Sequence, residues 1–149
     1  YEYSKKNSNS KLFLIGNYNN DPSVKKMVIE KGLEGKVIFA GVLNDVNRYY
    51  SAFDYFLFPS LYEGLSIAMI EAQISGLYCF VSNTVDLNTK ITDNYSTIDI
   101  NDESSYIAEM IIKNKKENDR ANINYEMKYD IKNSSKKLQN FYERNCKYE

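Results

Sequence analysis

Four short runs decide what this chain can fold into: "KLFLIG" (11–16), "KVIFAG" (36–41), "DYFLFPS" (54–60) and "LYCFVSN" (77–83). Each is rich in aromatic and branched residues and is closed by glycine, Pro-Ser or Ser-Asn, as buried strands are. None alternates apolar with polar residues, so each needs cover on both faces. Between them lie stretches with helical spacing. "SVKKMVIEKGLEG" (23–35) sets Val24, Met27, Val28 and Ile29 toward one face and ends at Gly32 and Gly35. "NDVNRYYSAF" (44–53) takes Asn44 or Asp45 as its cap, and "LSIAMIEAQISG" (65–76) stops at Gly76. "YSTIDI" (95–100) reads as a fifth strand. "DESSYIAEMIIKNKKEN" (102–118) reads as a helix with Ile107, Met110 and Ile111 on one face. The polar stretch 119–149 reads as a helical tail with Ile131, Leu138, Phe141 and Tyr142 as its apolar contacts. Doubly covered strands alternating with helices predict an α/β fold, a parallel sheet with helices on both faces and right-handed crossovers.

The composition narrows the chemistry. A length of 149 residues fits one domain. The net charge of −1 provides no global field for nucleic acid or an acidic membrane, so a bound anion needs a local device. Histidine is absent, which removes the usual general base, the Ser-His and Cys-His pairs and most zinc sites. Cys79 and Cys146 are far apart and form no CxxC. Cys79, inside "LYCFV", reads as a buried thiol, which points to a reducing cytoplasm. No run of 18 apolar residues exists to span a membrane. The polar start "YEYSKKNSNS" lacks an initiator Met and reads as the end of a helix and a linker over 1–10, as in a piece of a longer protein.

In parallel sheets ligands sit beyond the carboxyl ends of the strands. Those ends are Gly16–Asn17, Gly41–Val42, Pro59–Ser60 with Leu61 to Ser66, and Ser82–Asn83. The third carries "FPSLYEGLSIAMIEAQISG" (58–76), with Glu63 and Glu71 eight positions apart. Chance supplies about 0.8 such pairs from the glutamate content, and a second pair, Glu109 and Glu117, lies in a lysine-rich helix that reads as a solvated face. Context separates the two. A helix beginning near Leu65 or Ser66 points its unpartnered N–H groups at the ligand edge, an anion site suited to phosphate, and Gly64 lets backbone approach a ligand. Eight residues of pure helix would rise roughly 12 Å, so the two acids would hold different parts of one extended ligand. An acid early in a helix is also favourable through the dipole alone. Glu71, amid Leu65, Ile67, Ala68, Ile70 and Ile74, needs a protein or ligand partner.

Taken in order, "KLFLIG", "GLEGKVIFAG" and "DYFLFPSLYEGLSIAMIEAQISG" resemble the C-terminal half of GT-B glycosyltransferases of family 4, over about 11 to 113. The matching residues are Pro59, Ser60, Glu63, Gly64, Glu71, Ala72 and Gly76, and the tail 129–143 fits that family's closing helix more loosely. The resemblance implies a Rossmann-like fold, a single GT-B C-terminal domain over 1–149, and a nucleotide-sugar donor site. Glu63, the catalytic candidate, would hold hydroxyls of the donor sugar, and Glu71 the ribose. Gly64, Leu65 and Ser66 would receive the diphosphate through backbone N–H groups, and Val42 and Leu43 would lie near the base. The implied reaction is retaining transfer of a hexose from a UDP- or GDP-sugar to a hydroxyl of a glycan or lipid-linked acceptor. It needs no cofactor and no metal, and it belongs to bacterial surface-polysaccharide or glycoconjugate synthesis. The acceptor would bind an N-terminal domain not in this chain, and the parent would be cytoplasmic, with room for a peripheral place on the inner membrane face. The chain departs from the family where Ser66 replaces a second glycine, where Gly16-Asn17-Tyr18 replaces Gly-x-Gly, and where "SNTVDLN" replaces a Gly-Gly turn. The family's Arg/Lys phosphate clamp falls upstream of "KLFLIG".

Two other classes compete with the enzyme part. A receiver-type signalling module would need an Asp ending the third strand, where Pro59-Ser60 stands. A noncatalytic nucleotide-binding or assembly subunit that kept the fold could dock a partner through a patch of the chain's 14 tyrosines, although tyrosines spread over strands and helix faces account for that number better.

Overall fold

Five parallel strands carry the molecule: β1 (Leu12–Ile15), β2 (Val37–Gly41), β3 (Tyr55–Phe58), β4 (Tyr78–Ser82) and β5 (Tyr95–Ile98). The computed structural model describes residues 1–17, 22–114, 120 and 129–146. The helices are α1 (Glu2–Lys6), α2 (Ser23–Glu30), α3 (Val46–Tyr50), α4 (Ile67–Ile74), α5 (Ser104–Lys113) and α6 (Ile131–Asn145). The order of elements and the parallel pairing agree with the expected Rossmann-like α/β fold. The hydrogen bonding, however, divides the strands into a β1–β2 pair and a β3–β4–β5 sheet.

β4 shows why its sequence is apolar without alternation. All five of its residues are buried. Cys79 and Val81 join Tyr50, Met69, Ala72, Leu77 and Val85 on the α3–α4 side. Tyr78 and Phe80, one residue out of phase, join Ile98 and Ile111, with Tyr3, Ile107 and Met110 packed alongside, on the α1–α5 side. The two-residue period of a strand thus feeds two cores. The predicted α5 face of Ile107, Met110 and Ile111 is the one that packs.

Full cover does not extend to every strand. Leu12 and Phe13 of β1 and Leu57 of β3 are exposed, because these strands lie at sheet edges while β4 is central. On α2 only Val28 is buried, and Met27 and Ile29 face outward. On α6, Ile131, Leu138, Phe141 and Tyr142 are all exposed, so the expected apolar contacts of the tail are not made. The helix is held at its start instead. Asp130 accepts from the N–H groups of Lys132 and Asn133, and the neighbouring Tyr129 hydroxyl donates to the Asn88 carbonyl at 2.8 Å. The expected helix over 102–118 ends at Lys113, and residues 115–118 lie outside the described ones. So do 121–128 of the tail.

The start of the chain packs on α5. Glu2–Lys6 is helical, and Lys6 pairs with Glu109 of α5 at 2.5 Å. Arg120 donates to the carbonyls of Tyr50, Ser51 and Phe53, tying down the segment that leaves α3.

Burial has a pH consequence. It pushes the Cys79 thiol from its ordinary 9.0 to about 12. The Tyr50 hydroxyl rises from 10.0 to about 12, through burial first and the Glu71 charge second. Both groups are held neutral when folded, while in the unfolded chain they ionise from about pH 9. Stability is therefore full below about pH 9 and is lost as pH rises toward 12. Thermal melts between pH 8 and 11 should show a falling midpoint, and the fall should flatten in Cys79→Ala. An unchanged slope in that variant would remove Cys79 from the account. A thiol reagent should label one cysteine in the native protein, the exposed Cys146, and a second only in denaturant.

Candidate functional site

β3 delivers Pro59 and Ser60 to the carboxyl edge beside the end of β4, because Phe58 pairs with Val81. The loop that follows is folded by its own polar groups. Ser60 Oγ donates to the Tyr62 carbonyl at 3.1 Å, with the Glu63 carboxylate oxygen at 3.5 Å. From the β4 side, Thr84 Oγ1 donates to the Ser60 carbonyl at 2.9 Å. Leu61 and Tyr62 project outward, Tyr62 at 87 % exposure, and Glu63 is half-buried.

Gly64 has no positive φ, and a β-carbon placed there would meet no protein atom within 4 Å. Neither backbone geometry nor internal packing demands glycine at this position. Ser66 is the N-cap of α4, in extended geometry, and its side chain makes no capping bond. The first N–H groups of α4 thus lack a side-chain acceptor and face the loop. Leu65 remains in the loop, so the helix begins at Ile67, slightly later than the sequence suggested. Only Ile67 to Glu71 of the span between the two acids is helical. That shortens the axial rise to about 6 Å, in place of the 12 Å expected for helix throughout.

Glu71 is half-buried rather than enclosed, since α4 buries Met69, Ile70, Ala72 and Gln73 and exposes Ile67 and Ile74. Its protein neighbour is Tyr50. The Tyr50 hydroxyl donates to the Ala68 carbonyl at 3.3 Å, and burial first and the nearby Glu71 charge second hold that hydroxyl in its neutral form. The partner required for a carboxylate in an apolar helix is therefore partly supplied from α3.

Glu63, Gly64, Leu65, Ser66 and Glu71 fall on one loop and the helix it enters. Val42 and Leu43 fall at the carboxyl end of β2, on the other sheet, Val42 exposed and Leu43 half-buried. Reading the sequence alone missed Tyr50, Ser82 and Thr84, and it missed Gln73. Gln73 is fully buried. Its amide donates to the carbonyls of Met69 and Thr89 at 3.1 and 2.8 Å and accepts from the N–H groups of Ile91 and Thr92 at 2.9 and 3.3 Å. This binds α4 to a short 3₁₀ turn, Leu87–Thr89, that begins in "SNTVDLN". The signal for that turn was present in Asp86, whose side chain accepts from the Asn88 N–H at 2.9 Å.

Among the described residues no group of three or more His, Cys, Asp or Glu could hold a metal ion. None of the described helices is long and apolar enough to cross a membrane.

The model of the family described as "Glycosyl transferases group 1" matches residues 2–113, most of the chain. The chain belongs to the glycosyl transferases group 1 family. Among relatives of this glycosyltransferase domain is the UDP-Gal:alpha-D-GlcNAc-diphosphoundecaprenol alpha-1,3-galactosyltransferase of Escherichia coli. It is 33 % identical over 97 residues, which are 64 % of this chain and 23 % of that protein. The capsular polysaccharide biosynthesis glycosyltransferase CapH of Staphylococcus aureus is 31 % identical over 109 residues, 72 % of this chain and 29 % of that protein. The crystal structure of Anabaena Alr3699/HepE in complex with UDP shares the fold, with a TM-score of 0.60 and 20 % identity over 70 % of this chain and 30 % of that one. The glycosyltransferase domain thus spans less than a third of each of these proteins.

Proposed function

We propose that this chain is the donor-binding part of a retaining glycosyltransferase that moves a hexose from a nucleotide-diphospho-sugar to an acceptor hydroxyl. The product would be a bacterial surface polysaccharide or glycoconjugate. The observation that carries the proposal is Gly64. It lies between a half-buried carboxylate and an uncapped helix start, in a place where the protein itself has no use for glycine. A phosphate approaching the N–H groups of Gly64, Leu65 and Ser66 explains the missing side chain. In this reading Glu71 takes the ribose hydroxyls, Glu63 takes hydroxyls of the transferred sugar, and Val42 and Leu43 flank the base. The bond from the anomeric carbon to the phosphate oxygen breaks, the nucleoside diphosphate leaves with the bonding pair, and the acceptor oxygen bonds to the same face of that carbon while its proton passes to the departing phosphate oxygen. The helix N-terminus offsets the diphosphate charge, so the reading assigns no metal and no cofactor. The UDP in the Anabaena complex and the UDP-galactose named for the E. coli relative support a nucleotide-sugar donor. The acceptor, glycan or lipid-linked, would be held by chain outside these 149 residues, and the place of action would be cytoplasmic.

Titration of UDP and GDP into labelled protein tests the reading. Amide shifts should concentrate in 60–72, and shifts elsewhere alone would sink it. Gly64→Ala gives a second, separable readout. Because φ is permissive and the space is open, the variant should be as stable as the parent or more stable by about 0.5 kcal/mol. Its affinity for UDP should nevertheless fall. Equal affinity would show that the glycine serves no ligand.

A further inference from the structure

The loop between β3 and α4 is held by more than its own bonds. Ser82, the last residue of β4, is fully buried, and its Oγ lies 2.7 Å from Thr84 Oγ1. Thr84 Oγ1 lies 2.9 Å from the Ser60 carbonyl, to which it must be the donor. A hydroxyl carries one proton. Thr84 spends its proton on Ser60, so in the Ser82–Thr84 pair Ser82 is the donor. The Thr84 N–H in turn donates to Ser82 Oγ at 3.3 Å. The direction of the chain is therefore determined: Ser82 O–H to Thr84 O–H to the carbonyl of Ser60. Beyond Ser60, its own Oγ reaches the Tyr62 carbonyl and the Glu63 carboxylate.

We propose that Thr84 is a positioning residue, which transmits the rigid end of β4 to Ser60 and so sets the place of Glu63 and Gly64. Buried Ser82 is the anchor, and exposed Thr84 is the strut. The strut crosses from β4 to β3 just past the last pair of their register, Phe58 and Val81, at a point where Ser82 is still paired with Ile98 of β5. Thr84 is assigned no contact with a ligand. Its effect would pass through the loop, and its bearing on ligand binding rests on the donor-site reading given above.

The test uses the 149-residue protein and three variants, Thr84→Val, Thr84→Ser and Ser60→Ala. Valine keeps the shape and loses both roles of the hydroxyl, whereas serine keeps them. Ser60→Ala keeps the carbonyl that Thr84 holds. Backbone order parameters of 60–66, from amide relaxation, are measured first, without ligand. In Thr84→Val they should fall from the rigid range of about 0.85 toward the flexible range below about 0.6, while Thr84→Ser and the melting temperature stay near wild type. UDP is then titrated, and its dissociation constant should rise about fivefold to tenfold in Thr84→Val and return in Thr84→Ser. Ser60→Ala should leave residue 60 ordered while mobilising Glu63. Unchanged order in Thr84→Val would overturn the strut outright. Lost order with unchanged UDP affinity would overturn its role in positioning a site. Failure of the wild-type protein to bind UDP or GDP would overturn the donor-site reading instead, while the relaxation data would still decide whether the strut exists.

Discussion

Replacing Gln73 by leucine is expected to lower the unfolding free energy by about 3–5 kcal/mol, near the upper end for single substitutions. Leucine matches the volume and suits the apolar surroundings, so no cavity term enters. The cost comes from what remains behind. The Thr89 carbonyl loses its donor, and the Ile91 and Thr92 N–H groups lose their acceptor. Each buried orphan costs about 1–3 kcal/mol, less whatever water recovers. The Met69 carbonyl keeps its place in the α4 ladder, so it adds little. Urea denaturation gives the value directly. A loss below about 1 kcal/mol would mean that the 86–92 loop re-solvates freely and does not lock α4. Gln73→Glu should also be destabilising, because a carboxylate still accepts from Ile91 and Thr92 but cannot donate to Thr89.

The second large effect concerns ligand binding. Glu71→Gln should weaken UDP binding about tenfold to a hundredfold, because hydrogen bonds from ribose hydroxyls to a charged carboxylate are worth about 1.5–3 kcal/mol. Stability should hardly change, since Glu71 is half-buried and its protein contact is one tyrosine hydroxyl. The same variant has an internal control. Removing the charge beside Tyr50 should bring its pKa down from about 12, though not to the ordinary value, because burial is the larger cause. Absorbance titration of tyrosine follows this. A lowered Tyr50 pKa with unchanged UDP affinity would leave Glu71 a structural acid and end its ribose assignment.

Much of the fold was legible because it depends on local pattern. The runs at 12–15, 37–41, 55–58 and 78–82 are strands because short stretches rich in branched and aromatic residues, closed by glycine, Pro-Ser or Ser-Asn, suit a pleated sheet. What failed was cover. Met27, Ile29, Ile131, Leu138 and Phe141 look like core residues by type and spacing, and all are exposed. Periodicity says that a helix has an apolar face; it does not say whether another element lies against that face. The division of the strands into two sheets escaped for a related reason. Pairing is a relation between segments, and neither "KLFLIG" nor "DYFLFPS" contains information about its neighbour.

The candidate site divides along the same line. Glu63, Gly64, Ser66 and Glu71 could be named in advance because they lie in one continuous stretch, where a strand end, a glycine and a helix start follow one another along the chain. Tyr50, Gln73 and Thr84 could not, because each matters through a partner 16 or more positions away, and Ser82 matters only through Thr84: Ala68, Thr89 and Ser60 are reached only after the chain has folded back. The sequence by itself determined most of the strands and helices and which stretch joins the carboxyl end of β3 to α4, since those follow from side-chain type and spacing along a few residues. Only the tertiary structure decided how that stretch is held. The direction of a hydroxyl chain and the neighbour of a carboxylate are set by distances across the fold, and those depend on how the layers pack.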